Sequence, residues 1–179
     1  YNLKFWIKDG YYYDPDPKIT IRNNTFMQSL SKAVRVDSTR LNVTLSENLF
    51  LETQDSAICN VKPLSIPVIT KIGKEGENIV VTGQVDSMAT IELFYTSGVP
   101  QTAEAFLGRV ETDSDGGFSF SIPVENVKDK GGSLCFTATA TYPCRATSNL
   151  SEVYCCEGCF CTTDTTRATD TIVVGEKFL

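Results

Sequence analysis

Histidine is absent from this chain of 179 residues. That removes the side chain most used as a general base near neutral pH and the commonest metal ligand. Positive charge is also scarce, with 16 Lys and Arg against 22 Asp and Glu and a formal net charge of −6. With no basic cluster, nucleic acid and anionic membrane surfaces are not expected as partners. No apolar run is long enough to cross a bilayer as a helix, so no membrane span is expected. No helical periodicity runs through residues 1–62. The chain opens on YNLKFW without an initiator Met or a signal peptide, which reads as a processed, truncated or excised piece of something longer. Its length suffices for one large or two small domains with a real core.

Cysteine, by contrast, is plentiful: there are seven, and six of them fall between Cys135 and Cys161. Such crowding points to disulfides and an oxidising, extracellular compartment. The competing reading is zinc, since Cys156 and Cys159 have Cys-x-x-Cys spacing. A zinc ribbon needs two such knuckles with a spacer, and only one dense cluster exists. Seven is odd, so one thiol is left over, and Cys59, alone in the first third, is the candidate.

One phrase is written twice. ITIRNNTF (19–26) and VTLSENLF (43–50) share an order of apolar, polar and Asn positions, and Ile19/Val43, Ile21/Leu45, Asn24/Asn48 and Phe26/Phe50 are each 24 residues apart. Ala33-Val34 and Ala57-Ile58 continue the register. Each copy holds short alternating strands punctuated by Asn and Asp. A fixed period in the low twenties is the mark of one unit stacked on the next. Stacked one rung per coil, these units give a parallel β-helix. Ile19 would lie on Val43, Ile21 on Leu45, Phe26 on Phe50 and Val34 on Ile58, with Asn24 and Asn48 forming an amide ladder. Residues 1–18, with DGYYYDPDP, fit an earlier coil carrying an inserted loop. A solenoid repeat contacts only its neighbours, so the coils are expected to need upstream coils or another chain over their open end.

From PLSIPVIT the rhythm changes. Seven strand-like segments follow, from IPVIT to LSEVYC, separated by Gly, Asp and Ser turns. That count and spacing predict an immunoglobulin-like β-sandwich. Ile91, Leu93, Tyr95, Phe118, Phe120, Ile122, Leu134, Phe136 and Ala138 alternate as its core. The last hairpin folds back around residues 144–147, which sets Cys135 opposite Cys155 or Cys156 and leaves Cys144 to join Cys156, Cys159 and Cys161. The fold class read from the chain is therefore all-β: parallel β-helix coils over residues 1–64, a sandwich over 65–156, and a Cys/Thr-rich linker or start of a next module over 157–179.

The repeat pattern resembles the right-handed parallel β-helix repeats of bacterial surface proteins and polysaccharide-degrading enzymes. TIELFYTSG, AFLGRVETDSDGGFSFSIP, CFTATATYP and TSNLSEVYC look like the Ig-like module that follows such repeats in large bacterial surface proteins. The chain departs from that module where YPCRATSNLSEV replaces a shorter turn. The tail segment TIVVGEKF looks like joints between repeats in giant adhesins of gliding bacteria. Ser38, Ser56, Ser87, Thr165 and Thr171 each follow Asp and look like the O-glycosylation sites of exported proteins in Bacteroidota. Asn23, Asn42 and Asn149 lie in N-glycosylation sequons.

Candidate chemistry is thin. Asp113, Asp115 and Gly116 open like a calcium loop, but the remaining carboxylates are missing and a β-turn explains them. Asp14 and Asp16 read likewise as a turn. Arg22, Arg35, Asp37, Arg40 and Glu47 lie on the outward coil faces, yet the matching positions in the other coil are Ser46, Cys59 and Val61, so no paired-carboxylate site forms. Tyr11, Tyr12 and Tyr13 offer an aromatic platform for sugars, or pack on the coil edge. No catalytic residue, metal or cofactor is expected. The expectation is a non-catalytic structural or adhesive segment of a large extracellular, cell-surface bacterial protein, with surface glycans or other surface proteins as partners. The alternatives are a C-terminal accessory part of a β-helix polysaccharide lyase or hydrolase, and a carbohydrate-binding module.

Overall fold

The computed structural model describes residues 3–5, 18–37, 41–53, 55–60, 64–127, 133–143 and 146–157. Among them the chain is all-β, with a single 3-10 turn at Val124–Asn126 beside fourteen strands.

The first seven strands are short and parallel. β2 (Lys18–Arg22), β3 (Thr25–Met27) and β4 (Val34–Val36) form one rung, and β5 (Asn42–Ser46), β6 (Leu49–Leu51) and β7 (Ile58–Asn60) form the next. β2 pairs with β5, β3 with β6 and β4 with β7. The register sets Ile19 on Val43, Ile21 on Leu45, Phe26 on Phe50 and Val34 on Ile58, as the repeat requires. β1 (Leu3–Phe5) adds a third strand beside β4, pairing Leu3 with Val34. That separation is 34 − 3 = 31 residues, so β1 and β2 are 31 − 24 = 7 residues further apart than β4 and β5, around DGYYYDPDP.

Inward side chains make the core of this stack. Val34, Ile58, Val43 and Phe50 are fully buried, and the rings of Phe26 and Phe50 stack 5.2 Å apart, 8° from parallel. The corners repeat as well. Asn23 and Glu47 (φ 57° and 54°) share one left-handed position, and Gln28 and Glu52 (φ 53° and 54°) share the next. Asn tolerates that conformation; Glu and Gln adopt it at a cost of about 1–2 kcal/mol each.

β8 (Val68–Glu75), β9 (Asn78–Gln84) and β12 (Gly117–Pro123) form an antiparallel sheet in the order β12-β9-β8. β10 (Thr90–Thr96), β11 (Ala105–Glu111), β13 (Ser133–Thr141) and β14 (Tyr154–Glu157) form another in the order β11-β10-β13-β14. One core joins them, with Ile79, Val81, Phe118, Phe120 and Ile122 from the first sheet and Ile91, Leu93, Leu134, Phe136 and Ala138 from the second. The turn into β12 needs glycine: Gly116 has φ 85°, and a Cβ there would lie 1.8 Å from the Val85 carbonyl oxygen. The last segment is only partly strand. Residues 149–153 run irregularly beside β13, and pairing resumes at Tyr154.

The alternation read for β10 describes one of its faces. From Ile91 to Thr96 every residue is buried, because the second face lies against the parallel stack. Phe94 belongs to the stack's core together with Ala103 and Leu150, while Ile91 and Leu93 serve the other core.

Candidate functional site: the junction of the two halves

The junction begins with main-chain bonds. Phe50 and Ala103 exchange both hydrogen bonds, each 2.9 Å, so residue 103 extends the β3-β6 sheet as an antiparallel bridge. Next to it, the Thr147 amide donates to the Val43 carbonyl at 3.0 Å, and the Leu45 amide donates to the Thr147 hydroxyl at 2.8 Å. The Asn60 carboxamide donates to the Thr147 carbonyl at 2.8 Å. β5 and β6 of the second rung are thus bonded along their outer edges, and β7 is tied in by the Asn60 side chain. β2 and β3 have no further strand beside them among the described residues.

A group of four charged side chains sits at this seam. Glu92, on the stack-facing side of β10, is 4% exposed. Its carboxylate accepts from the Ser46 hydroxyl and from the Glu47 amide, both at 2.8 Å. Glu47 in turn pairs with Arg22 at 2.6 Å and with Arg109, whose guanidinium lies 4.0 Å from Glu92. Arg109 also covers the Phe106 ring, 5.9 Å from its centre. Burial pushes the Glu92 carboxyl above its ordinary range, opposed by the Ser46 hydrogen bond and the positive charge of Arg22. Two carboxylates and two guanidiniums therefore neutralise one another across the joint. The arrangement can hold two elements together.

The remaining predicted positions are scattered. Asn48 is buried, accepts from the Asn24 amide at 3.0 Å and from the Asn24 carboxamide at 3.3 Å, and donates to the Ile21 carbonyl at 2.8 Å, forming the amide ladder. Arg35 pairs with Asp37 at 2.5 Å, which raises the Arg35 pKa. Lys32 pairs with Asp55 on the next rung at 2.9 Å and lowers the Asp55 pKa. Cys135 and Cys155 are directly opposite in the β13-β14 pairing and are joined as a disulfide. Cys156 is disulfide-bonded too, and Cys59, beside Arg35 in the β4-β7 pairing, is a half-buried free thiol.

Asp113 spends its carboxylate on the turn itself, accepting from the Asp115 amide at 2.9 Å and the Gly117 amide at 2.7 Å. Among the described residues no group of three or more His, Cys, Asp or Glu is placed to hold a metal ion. Ser56 is half-buried with its hydroxyl donating to the Ile58 carbonyl at 2.7 Å, while Ser87 is exposed in a bend. Tyr11, Tyr12, Tyr13, Asp14, Asp16, Ser38, Arg40, Cys144, Cys159, Cys161, Thr165 and Thr171 lie outside the described residues.

Sequence reasoning found Arg22 and Glu47 and missed Glu92 and Arg109. The signal was present: a Glu inside the apolar strand IELFY has no reason to be there unless something pairs with it. Among the described residues no helix is long and apolar enough to cross a membrane. No protein-family model matches the chain, and no curated protein matches it either.

Proposed function

We propose that this chain is a non-catalytic structural and adhesive segment of a large extracellular, surface-anchored bacterial protein. In this reading residues 1–64 are coils of a right-handed parallel β-helix and residues 65–156 an Ig-like sandwich that ends them. The observation that carries it is the asymmetry of the stack. On one side Ala103 and Thr147 bond the main chain of β6 and β5, while on the other no strand lies beside β2 and β3 among the described residues. Open strand edges accept further rungs of the same kind, from upstream coils or from another chain. The charged groups support a passive role, since Arg22, Glu47, Glu92 and Arg109 are all committed to the joint. The cross-strand disulfide suits an oxidising compartment.

Antibody labelling of intact source cells tests the location: labelling before lysis is expected, and labelling only after lysis overturns the reading. Incubation with a panel of polysaccharides tests the absence of chemistry. Release of products that disappears in Arg22→Ala or Asp37→Ala would make the segment an enzyme.

A further inference from the structure

β8 and β14 are the outer strands of their two sheets, and an open groove of about 470 Å³ runs between them. Its floor is the buried side chain of Leu150. Its walls are apolar but uncovered: Val68 is 60% exposed and Tyr154 38%. Its rim is polar and uncharged except for Glu152, with Asn149 and Gln101 beside it. The Asn149 carboxamide, half-buried, and the Glu152 carboxylate make no hydrogen bond to any described residue. Gln101 is held in the left-handed region at φ 59°. Its main chain accepts from Thr53, and its side-chain oxygen takes the Ala57 amide at 3.4 Å. Its NH₂ group is without a partner among the described residues.

These features select a ligand class. An anion is disfavoured, because among the described residues no Lys or Arg lines the groove and Glu152 repels it. A wholly apolar ligand gains little in a groove open to water and leaves the rim groups unused. A neutral sugar ring fits both surfaces, with a C–H face for the Tyr154 ring and a hydroxyl edge that both donates and accepts. Carboxylate accepts from such hydroxyls, and carboxamide does both. The site also lies where the stack and the antiparallel sheets meet, through Gln101, which is a common place for small-ligand pockets.

We propose that this groove binds a neutral saccharide, stacked on Tyr154 and hydrogen-bonded by Asn149, Glu152 and Gln101. The inference goes beyond the structural and adhesive role by naming a site and a ligand class, and it holds or fails independently of where the protein resides.

The test uses the full chain against short neutral cello-, malto-, manno- and galacto-oligosaccharides and charged oligogalacturonates on an array, with titration calorimetry of the best binder. Tyr154→Ala is expected to weaken binding about tenfold, Glu152→Gln to weaken it several-fold, and Tyr154→Phe to keep most of it. Leu30→Ala, at the exposed corner of the stack, should leave it unchanged. Unfolding midpoints of every variant are measured alongside. If Tyr154→Ala unfolds, the exposed Glu152→Gln decides. No saturable binding of any of these sugars, binding indifferent to both Tyr154→Ala and Glu152→Gln, or preference for a charged sugar would each overturn the proposal.

Discussion

Replacing Glu92 by Ala and by Gln should separate two contributions of one buried carboxylate. In Glu92→Ala the Glu47 amide and the Ser46 hydroxyl lose their acceptor at a position 4% exposed. Each buried orphan costs about 1–3 kcal/mol, so the loss should be about 3 kcal/mol. For a chain of this size that lowers the thermal midpoint by roughly 6–12 °C. Glu92→Gln keeps an oxygen for the Glu47 amide, and its NH₂ group can donate to Ser46, so its cost near neutral pH should stay within about 1 kcal/mol. The pH dependence has a definite sign. Burial raises the Glu92 pKa in the folded state, so the folded protein holds that proton more tightly than the unfolded chain. The contribution of Glu92 is therefore greatest below the ordinary Glu range and declines as pH rises through that range toward the raised value. The Gln variant, which has no such proton, should gain on the wild type as pH rises from about 4 toward neutrality. Urea denaturation at several pH values measures all three proteins. An Ala variant within about 0.5 kcal/mol of wild type, or a wild-type-minus-Gln difference that grows with pH, would refute the account.

Three further outcomes follow from other parts of the chain. Asn48→Ala should cost about 2–3 kcal/mol in urea unfolding, because it orphans the Ile21 carbonyl and the Asn24 amide, while exposed Asn24→Ala should cost under about 1 kcal/mol. Glu52→Asn should stabilise by roughly 0.5–1 kcal/mol, since Asn accepts the left-handed corner at φ 54° more readily than Glu; an unchanged midpoint would mean that the corner is not strained. Replacing Cys135 and Cys155 by Ser together opens a loop of sequence separation 20 and should cost about 3 kcal/mol, which thermal unfolding under oxidising conditions would register.

The stack was legible because its core positions and its Asn ladder recur at one interval, and no other element imposes a different period on them. The strand pairing around Cys135 was legible for a similar reason: a short hairpin leaves few registers. The junction was not. Alternation assigns each residue of β10 to core or solvent, and it cannot say that the solvent side will be covered by a segment far away in sequence. Phe94 and Glu92 were the clues, an aromatic and a carboxylate on a face read as outward. The corners at Gln28, Glu47 and Glu52 were illegible because nothing in their side chains favours positive φ. Stacking fixes the backbone there, and the residues endure it.

The shared core has a mechanical consequence. Phe94, Ala103 and Leu150 are packed among Val43, Leu45 and Phe50, so neither half owns a complete boundary. Severing the polypeptide between them would leave each fragment with a raw apolar wound, and both should clump. Left whole, the joint is a weld and not a hinge. Tension or bending applied to the rungs passes through Ala103 and Thr147 straight into β10 and β13.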